Sequence, residues 1–245
     1  MTDKQKNLIT RTITGILFVA VMVAGFLKPH YMVVLFAIIT GATIWEYSNL
    51  VSQVENVRTN RFISTVAGVY LFVATAALRL GIVEGFSVFV PYILTIIYLL
   101  IAELYMKNPN PINCWAYTML AQMYIALPLS LINIIAFQIR PDGQLTIDML
   151  LPLSIFIFLW TNDTGAYCTG SLLGRHKLFP RISPAKTWEG SIGGSILVVG
   201  VAALIGHLTN TEADPEGALY GHNVTLTGDF EPYDKSMLWS GIAER

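Results

Sequence analysis

The sequence predicts an all-α fold, a polytopic transmembrane helical bundle of about seven spans, and three observations predict it. Of 245 residues, 54% are hydrophobic and only 13% are charged, where soluble domains carry about 25% charged residues. The apolar residues come in runs of about twenty, the length a helix needs to cross a hydrocarbon core roughly 30 Å thick. The runs do not alternate polar with apolar, as barrel strands would, and are about twice a barrel strand's length.

Each span is bounded by its own punctuation. The first, at residues 12–27, follows Lys4, Lys6 and Arg11. It lacks a small-x-small cleavage site, so it is read as a retained helix and not as a signal peptide. The second, 31–50, opens just after Pro29. The third, 62–80, lies between the Asn56–Asn60 turn and the Gly81–Gly85 turn, and the fourth, 86–105, stops before Asn108–Pro111. The fifth, 113–138, ends before Pro141–Gly143, and the sixth and seventh occupy 148–173 and 190–208. Proline and glycine clusters of this kind interrupt helices because they lack a donor or favour turn conformations. Together residues 1–208 form the expected helical domain. An acidic non-cytoplasmic loop is expected at 209–236, with a further helix beginning at 237–245.

With seven spans and a cytoplasmic N-terminus, ten Lys and Arg fall on the cytoplasmic side and four on the other. That bias agrees with the positive-inside rule and places the basic stretch Arg175–Lys186 in the cytoplasm. The formal net charge is −1, and no basic tail is present, so nothing points to nucleic acid as a partner. Cys114 and Cys168 stand alone, without metal-ligand spacing, and read as two reduced thiols.

Ionisable groups within or beside spans are costly in lipid and are the first candidates for chemistry. Glu46 and Glu103 lie near helix ends, where a carboxylate reaches the interface or a neighbouring helix, and are read as structural. Asp163 follows a long apolar run. If its helix continues, Asp163, Tyr167, Gly170 and Gly174 share one face, and Gly170 and Gly174 form a small-xxx-small pair that admits a close neighbour. A structural Asp bonded to another helix is the alternative. The stretch that follows holds Arg175, His176, Lys177 and Arg181, then Ser183-Pro184-Ala185-Lys186-Thr187-Trp188-Glu189-Gly190. Ser183 before Pro184 reads as an N-cap with proline at the first helical position. Such a helix start attracts phosphate, with Lys186 and Thr187 in its first turn. Glu189 beside lysines supplies the hard oxygen that a Mg²⁺–phosphate site needs. A topology-setting loop that binds anionic headgroups is the competing reading. No P-loop motif and no zinc spacing occur, and His176, His207 and His222 read as ordinary interface or loop histidines.

These residues carry a resemblance. Asn162-Asp163-Thr164-Gly165-Ala166-Tyr167, with Gly170 and Gly174, followed by Ser183–Gly190 and Gly193-Gly194, closely resembles the bacterial phosphatidate cytidylyltransferase (CDP-diglyceride synthase) family. The resemblance implies Mg²⁺-dependent transfer of CMP from CTP to phosphatidic acid, giving CDP-diacylglycerol and pyrophosphate, in a bacterial inner membrane. It implies catalytic roles for Asp163, Lys186 and Glu189, with Asp163 holding the metal or positioning substrate and Glu189 holding the metal or orienting Lys186. Asn162, Tyr167, Arg175, Lys177, Ser183, Thr187 and Gly190 are the implied substrate-binding residues. CTP, phosphatidic acid and membrane lipids are the expected partners, and a homodimer is left open. The family's C-terminal signature, a Gly-Asp-Leu segment, Lys-Arg, Lys-Asp, His-Gly-Gly and Asp-Arg, has no counterpart here. The chain therefore reads as a family member truncated at the C-terminus. An inactive fragment and a small-solute transporter, with intramembrane carboxylates as coupling sites, are the alternatives.

Overall fold

The computed structural model describes residues 3–139 and 143–212. The acidic segment at 209–236, the helix start at 237–245 and the turn residues Arg140 and Pro141 fall wholly or partly outside them. Within the described residues the helices run α1 (Asp3–Phe26), α2 (Pro29–Val51), α3 (Arg61–Arg79) and α4 (Val90–Tyr105), the last preceded by a 3₁₀ turn at Phe86–Phe89. Then come α5 (Pro111–Ala121), a π turn at Gln122–Ala126, and α6 (Leu127–Ala136), which form one continuous helix. A short antiparallel pair follows, β1 (Phe137–Ile139) with β2 (Leu145–Ile147), then α7 (Leu150–Leu173). A second antiparallel pair, β3 (Lys177–Phe179) and β4 (Ser183–Thr187), leads into α8 (Trp188–Glu212).

The protein is thus a polytopic helical membrane protein, and among the described residues five helices are long and apolar enough to cross a membrane: 29–51, 61–79, 86–105, 111–136 and 188–209. The first span is a shorter apolar helix over Ile13–Phe26. Helix α7 does not reach the same apolarity, because Asn162, Asp163 and Thr164 interrupt it. The helix starts follow from capping. Asn60 and Asn110 accept from the N–H of Ile63 and Asn113, each at 3.2 Å, and Asp148 caps α7 through the N–H of Leu150 and Leu151 at 2.9 and 3.0 Å. Each bond satisfies a donor that the helix itself cannot.

The chain forms two compact units, Met1–Ile157 and Phe158–Arg245, dividing within α7. In the first, α3 packs along α2 and α6. Because lipid gives helices no hydrophobic reason to associate, polar contacts and close packing hold them. Gln122 Nε2 donates to the Ser64 carbonyl at 2.8 Å and lies 2.9 Å from its hydroxyl. Asn133 Nδ2 donates to the Phe72 carbonyl at 3.2 Å, and Arg79 Nε to that of Phe137 at 2.7 Å. The π turn has a visible cause in Pro128: without an N–H it cannot complete the α ladder, and its ring crowds the carbonyl four residues back. The ladder widens, and Leu127 N–H bonds the Gln122 carbonyl.

The two sequence-read carboxylates of this unit have structural partners. Buried Glu103 accepts from Asn108 Nδ2 at 2.7 Å at the end of α4. Glu46 lies 3.5 Å from Asn49 Nδ2, whose Oδ1 in turn accepts from Arg61 at 3.0 Å.

Candidate functional site

The second unit is built on a seam between α7 and α8 in which backbone meets backbone. A Cβ placed on Gly190 would lie 2.8 Å from the Ala166 carbonyl oxygen and 3.2 Å from Gly170 Cα. One on Gly194 would lie 2.8 Å from the Asn162 carbonyl and 2.9 Å from its Oδ1. Only glycine permits that approach. Thr169 closes the seam, its hydroxyl 2.7 Å from the Gly165 carbonyl of its own helix and 3.3 Å from the Gly190 carbonyl opposite. Asn162, Gly165, Ala166, Thr169 and Gly170 therefore form the packed stripe. The expected face Asp163–Tyr167–Gly170–Gly174 divides: Gly170 and Gly174 adjoin Thr187, while Asp163 is exposed and Tyr167 is 77% exposed on the flank.

The helix start expected at Ser183 is corrected. Ser183–Thr187 is a strand, and α8 begins at Trp188. A residue before proline is pushed toward extended backbone, so Ser183 pairs with Phe179 and does not cap a helix. Thr187 is the cap: its Oγ1 accepts the Gly190 N–H at 3.2 Å, and Gly170 and Gly174 leave room for its buried side chain. The Trp188 N–H donates to the His176 carbonyl at 3.0 Å. Two donors of the first turn are thereby already paired, so the start of α8 is not an open phosphate cradle. Lys186 lies on β4, exposed, and outside that turn.

Glu189, in the first turn, is a clamp. Its Oε2 accepts the N–H of Arg175 at 3.1 Å and that of His176 at 3.2 Å. Its Oε1 lies 2.6 Å from His176 Nδ1; a carboxylate at that distance requires Nδ1 to carry the proton. A negative group here also complements the positive end of α8. The consequence is a fixed turn: Arg175 and Lys177 flank the anchored His176 and line an open cavity of ≈ 740 Å³ with His176, Trp188, Glu189 and Ile192.

The structure thus gathers Arg175, Lys177 and Glu189 of the sequence-read residues. Thr187 and Gly190 are packed in the seam behind them, Asn162 lies further along it, Ser183 sits half-buried in the hairpin, and Asp163, Tyr167 and Lys186 are exposed outside the cavity lining. His176, Trp188 and Ile192 were missed. His176 carries no readable signal, since its partner is reached across a hairpin. Trp188, an aromatic at the edge of a span, had one. A smaller cavity of ≈ 330 Å³ is lined by Trp160, Thr161, Thr164, Gly165, Cys168 and Leu197.

A divalent cation fits this donor set in part. Among the described residues no three His, Cys, Asp or Glu side chains group as metal ligands. The oxygens of Glu189 are engaged by the N–H groups of residues 175 and 176 and by the His176 ring, so its expected role as a metal ligand does not match its bonding. The Asp163 carboxylate has no hydrogen-bond partner among the described residues and is exposed. That suits Mg²⁺, which commonly takes one or two carboxylates and completes its shell with water and substrate phosphate.

Fold and site together define a polytopic helical membrane protein with a clamped cationic cavity at the first turn of a membrane-spanning helix. The chain belongs to the cytidylyltransferase family, whose model matches residues 9–242. It is 29% identical over 207 residues to a phosphatidate cytidylyltransferase of Haemophilus influenzae, covering 80% of this chain and 71% of that protein. It is 55% identical over 51 residues to the Staphylococcus haemolyticus phosphatidate cytidylyltransferase, covering 20% of each chain. It is also 52% identical over 52 residues to that of Staphylococcus saprophyticus, again covering 20% of each.

Proposed function

We propose that this protein is a phosphatidate cytidylyltransferase that transfers CMP from CTP to phosphatidic acid. The phosphomonoester oxygen of the lipid attacks the α-phosphorus of CTP. A P–O bond forms, the α–β anhydride bond breaks, and pyrophosphate leaves with the electron pair. Such transfers are catalysed by positioning and charge neutralisation, without a protein nucleophile.

The observation that carries the reading is the clamp: Glu189 holds the Arg175–Lys177 turn by three hydrogen-bonding groups. The backbone that carries these two cations is thereby held beside the first turn of α8. Arg175 offers a forked donor set to phosphate oxygens, and Lys177 a compact charge. In this reading Glu189 acts as a positioning residue, and Thr187 and Gly190 build the seam. Asp163 would hold Mg²⁺ together with CTP phosphates, the ion supplying neutralisation of phosphate charge when bound. Lys186 on the hairpin and Tyr167 on the flank are the further side chains able to reach a bound substrate. The distribution of Lys and Arg supports a cytoplasmic N-terminus and a cytoplasmic site in a bacterial inner membrane.

Purified protein in liposomes containing phosphatidic acid, supplied with Mg²⁺ and α-labelled CTP, should yield labelled CDP-diacylglycerol and equimolar pyrophosphate. Labelled lipid must be absent when phosphatidic acid is omitted. Folded protein that forms no labelled lipid under these conditions overturns the reading.

A further inference from the structure

The β3–β4 hairpin has a feature that cytidylyl transfer does not explain. Its tip is a turn, with the Ile182 N–H donating to the Phe179 carbonyl at 3.2 Å, and Pro180 suits the second position of such a turn. The two side chains that end the turn are large and apolar, and they are bare: Phe179 is 55% exposed and Ile182 80% exposed. Around them stand Arg175, Lys177, Arg181 and Lys186, all exposed and none in an ion pair among the described residues. The carboxylate nearest in sequence, Glu189, is committed to His176.

The depth of the hairpin's base follows from the helix it joins. It joins α8, which is long and apolar enough to span a membrane from Trp188. Trp188 is 55% exposed, and a tryptophan at the end of a span settles at headgroup level. The bond from Trp188 N–H to the His176 carbonyl holds the other strand's entry at the same level. From Thr187 to Ile182 the chain reaches about 17 Å at ~3.3 Å per residue. The headgroup layer on each side is only about 6 Å thick, so a hairpin of that reach directed at the bilayer arrives at the hydrocarbon boundary.

We infer that the β3–β4 hairpin is a membrane-surface anchor: Phe179 and Ile182 enter the bilayer beside the start of α8, and Arg181, the cation of the turn that the proposed transfer does not use, pairs with anionic phospholipid headgroups. The occupant is the protein's own bilayer, because two bare apolar side chains with an exposed arginine between them match an anionic interface. An acidic or apolar protein partner would leave the tip in water when the protein is alone in vesicles.

The experiment reads position and not turnover, so its outcome is independent of the transfer reaction. In a Cys168→Ser background, which leaves only buried Cys114, Ile182→Cys is labelled with an environment-sensitive nitrobenzoxadiazole dye. The protein is reconstituted in vesicles of phosphatidylcholine with or without phosphatidylglycerol. In anionic vesicles the dye should be quenched by spin-labelled acyl chains and protected from aqueous iodide. Arg181→Gln should lower the inserted-to-exposed ratio about fivefold, the equivalent of roughly 1 kcal/mol per basic residue near an anionic surface. Phe179→Cys, labelled in the same way, provides a second reporter should the first variant fail to fold. Iodide quenching as strong as that of the free dye in anionic vesicles overturns the proposal. So does insertion indifferent to anionic lipid.

Discussion

Gly190→Ala tests the seam most directly, and its magnitude follows from geometry. The added methyl would sit 2.8 Å from the Ala166 carbonyl oxygen, 3.0 Å from Thr187 Oγ1 and 3.2 Å from Gly170 Cα. Two of those three atoms are backbone and cannot rotate away, so α8 must withdraw from α7 by several tenths of an ångström. Overpacking of this kind costs about 1–3 kcal/mol. In a chain of this length that corresponds to a fall of roughly 2–12 °C in unfolding temperature. Gly200→Ala is the control. It lies on the same helix with nothing within 4 Å of its added methyl, and there alanine should be neutral or gain about 0.5–1 kcal/mol from helix propensity. Both variants, purified in one detergent, are compared by thermal unfolding followed by circular dichroism. Equal unfolding temperatures for the two variants would refute the seam.

Three further outcomes are expected. Glu189→Gln and His176→Ala should each reduce kcat/KM for CTP by about tenfold or more through misplacement of Arg175 and Lys177. Their double variant should lose less than the sum of the two, since one clamp is removed once; strictly additive losses count against the clamp. Asp163→Asn should lower CDP-diacylglycerol synthesis by orders of magnitude and raise the Mg²⁺ concentration needed for half-maximal rate, and an unchanged Mg²⁺ titration removes Asp163 from the metal. In the first unit, Gln122→Leu should cost about 1–3 kcal/mol in thermal stability, because the buried Ser64 hydroxyl loses the Gln122 donor. It deletes the bonds to Ser64 but also the buried Oε1 that has no partner among the described residues.

The helices were legible because bilayer thickness imposes their length and because Pro29, Asn60, Asn110 and Asp148 end or cap them by local chemistry. The hairpins were not. Strands of three and five residues are too short to show alternation, and the pairing of Phe179 with Ser183 joins side chains no periodicity relates. At Ser183 the local signal, a hydroxyl followed by proline, named a helix start four residues too early. The extended preference imposed by Pro184 and the space beside Gly170 settled the start at Trp188, which sequence could not weigh because Gly170 comes from another helix. The clamp was illegible for a related reason: its donors are mostly backbone N–H groups, and every residue has one. The π turn was readable in principle from Pro128 inside an apolar helix.

The seam reorders the motif residues by what they do. Helices in lipid gain nothing by hiding apolar surface from water, so α7 and α8 need small residues and a few polar contacts to stay together. Asn162, Thr187 and Gly190, expected to bind substrate, are the ones spent on that contact. Asp163, Tyr167, Arg175, Lys177 and Lys186 are exposed around it, and in the proposed function they are the side chains that meet substrate. Two classes of variant should therefore separate. Asn162→Leu and Thr187→Val should lower unfolding temperature and activity together, because the seam carries both flanks. Arg175→Ala, Lys177→Ala and Lys186→Ala should leave the unfolding temperature within about 2 °C of the parent, as exposed substitutions generally do, while the transfer rate falls. Thermal unfolding and CDP-diacylglycerol synthesis measured on the same preparations decide it. A flank variant that melts early, or a seam variant that melts normally yet does not turn over, would mean that structure and chemistry are not divided between seam and flank.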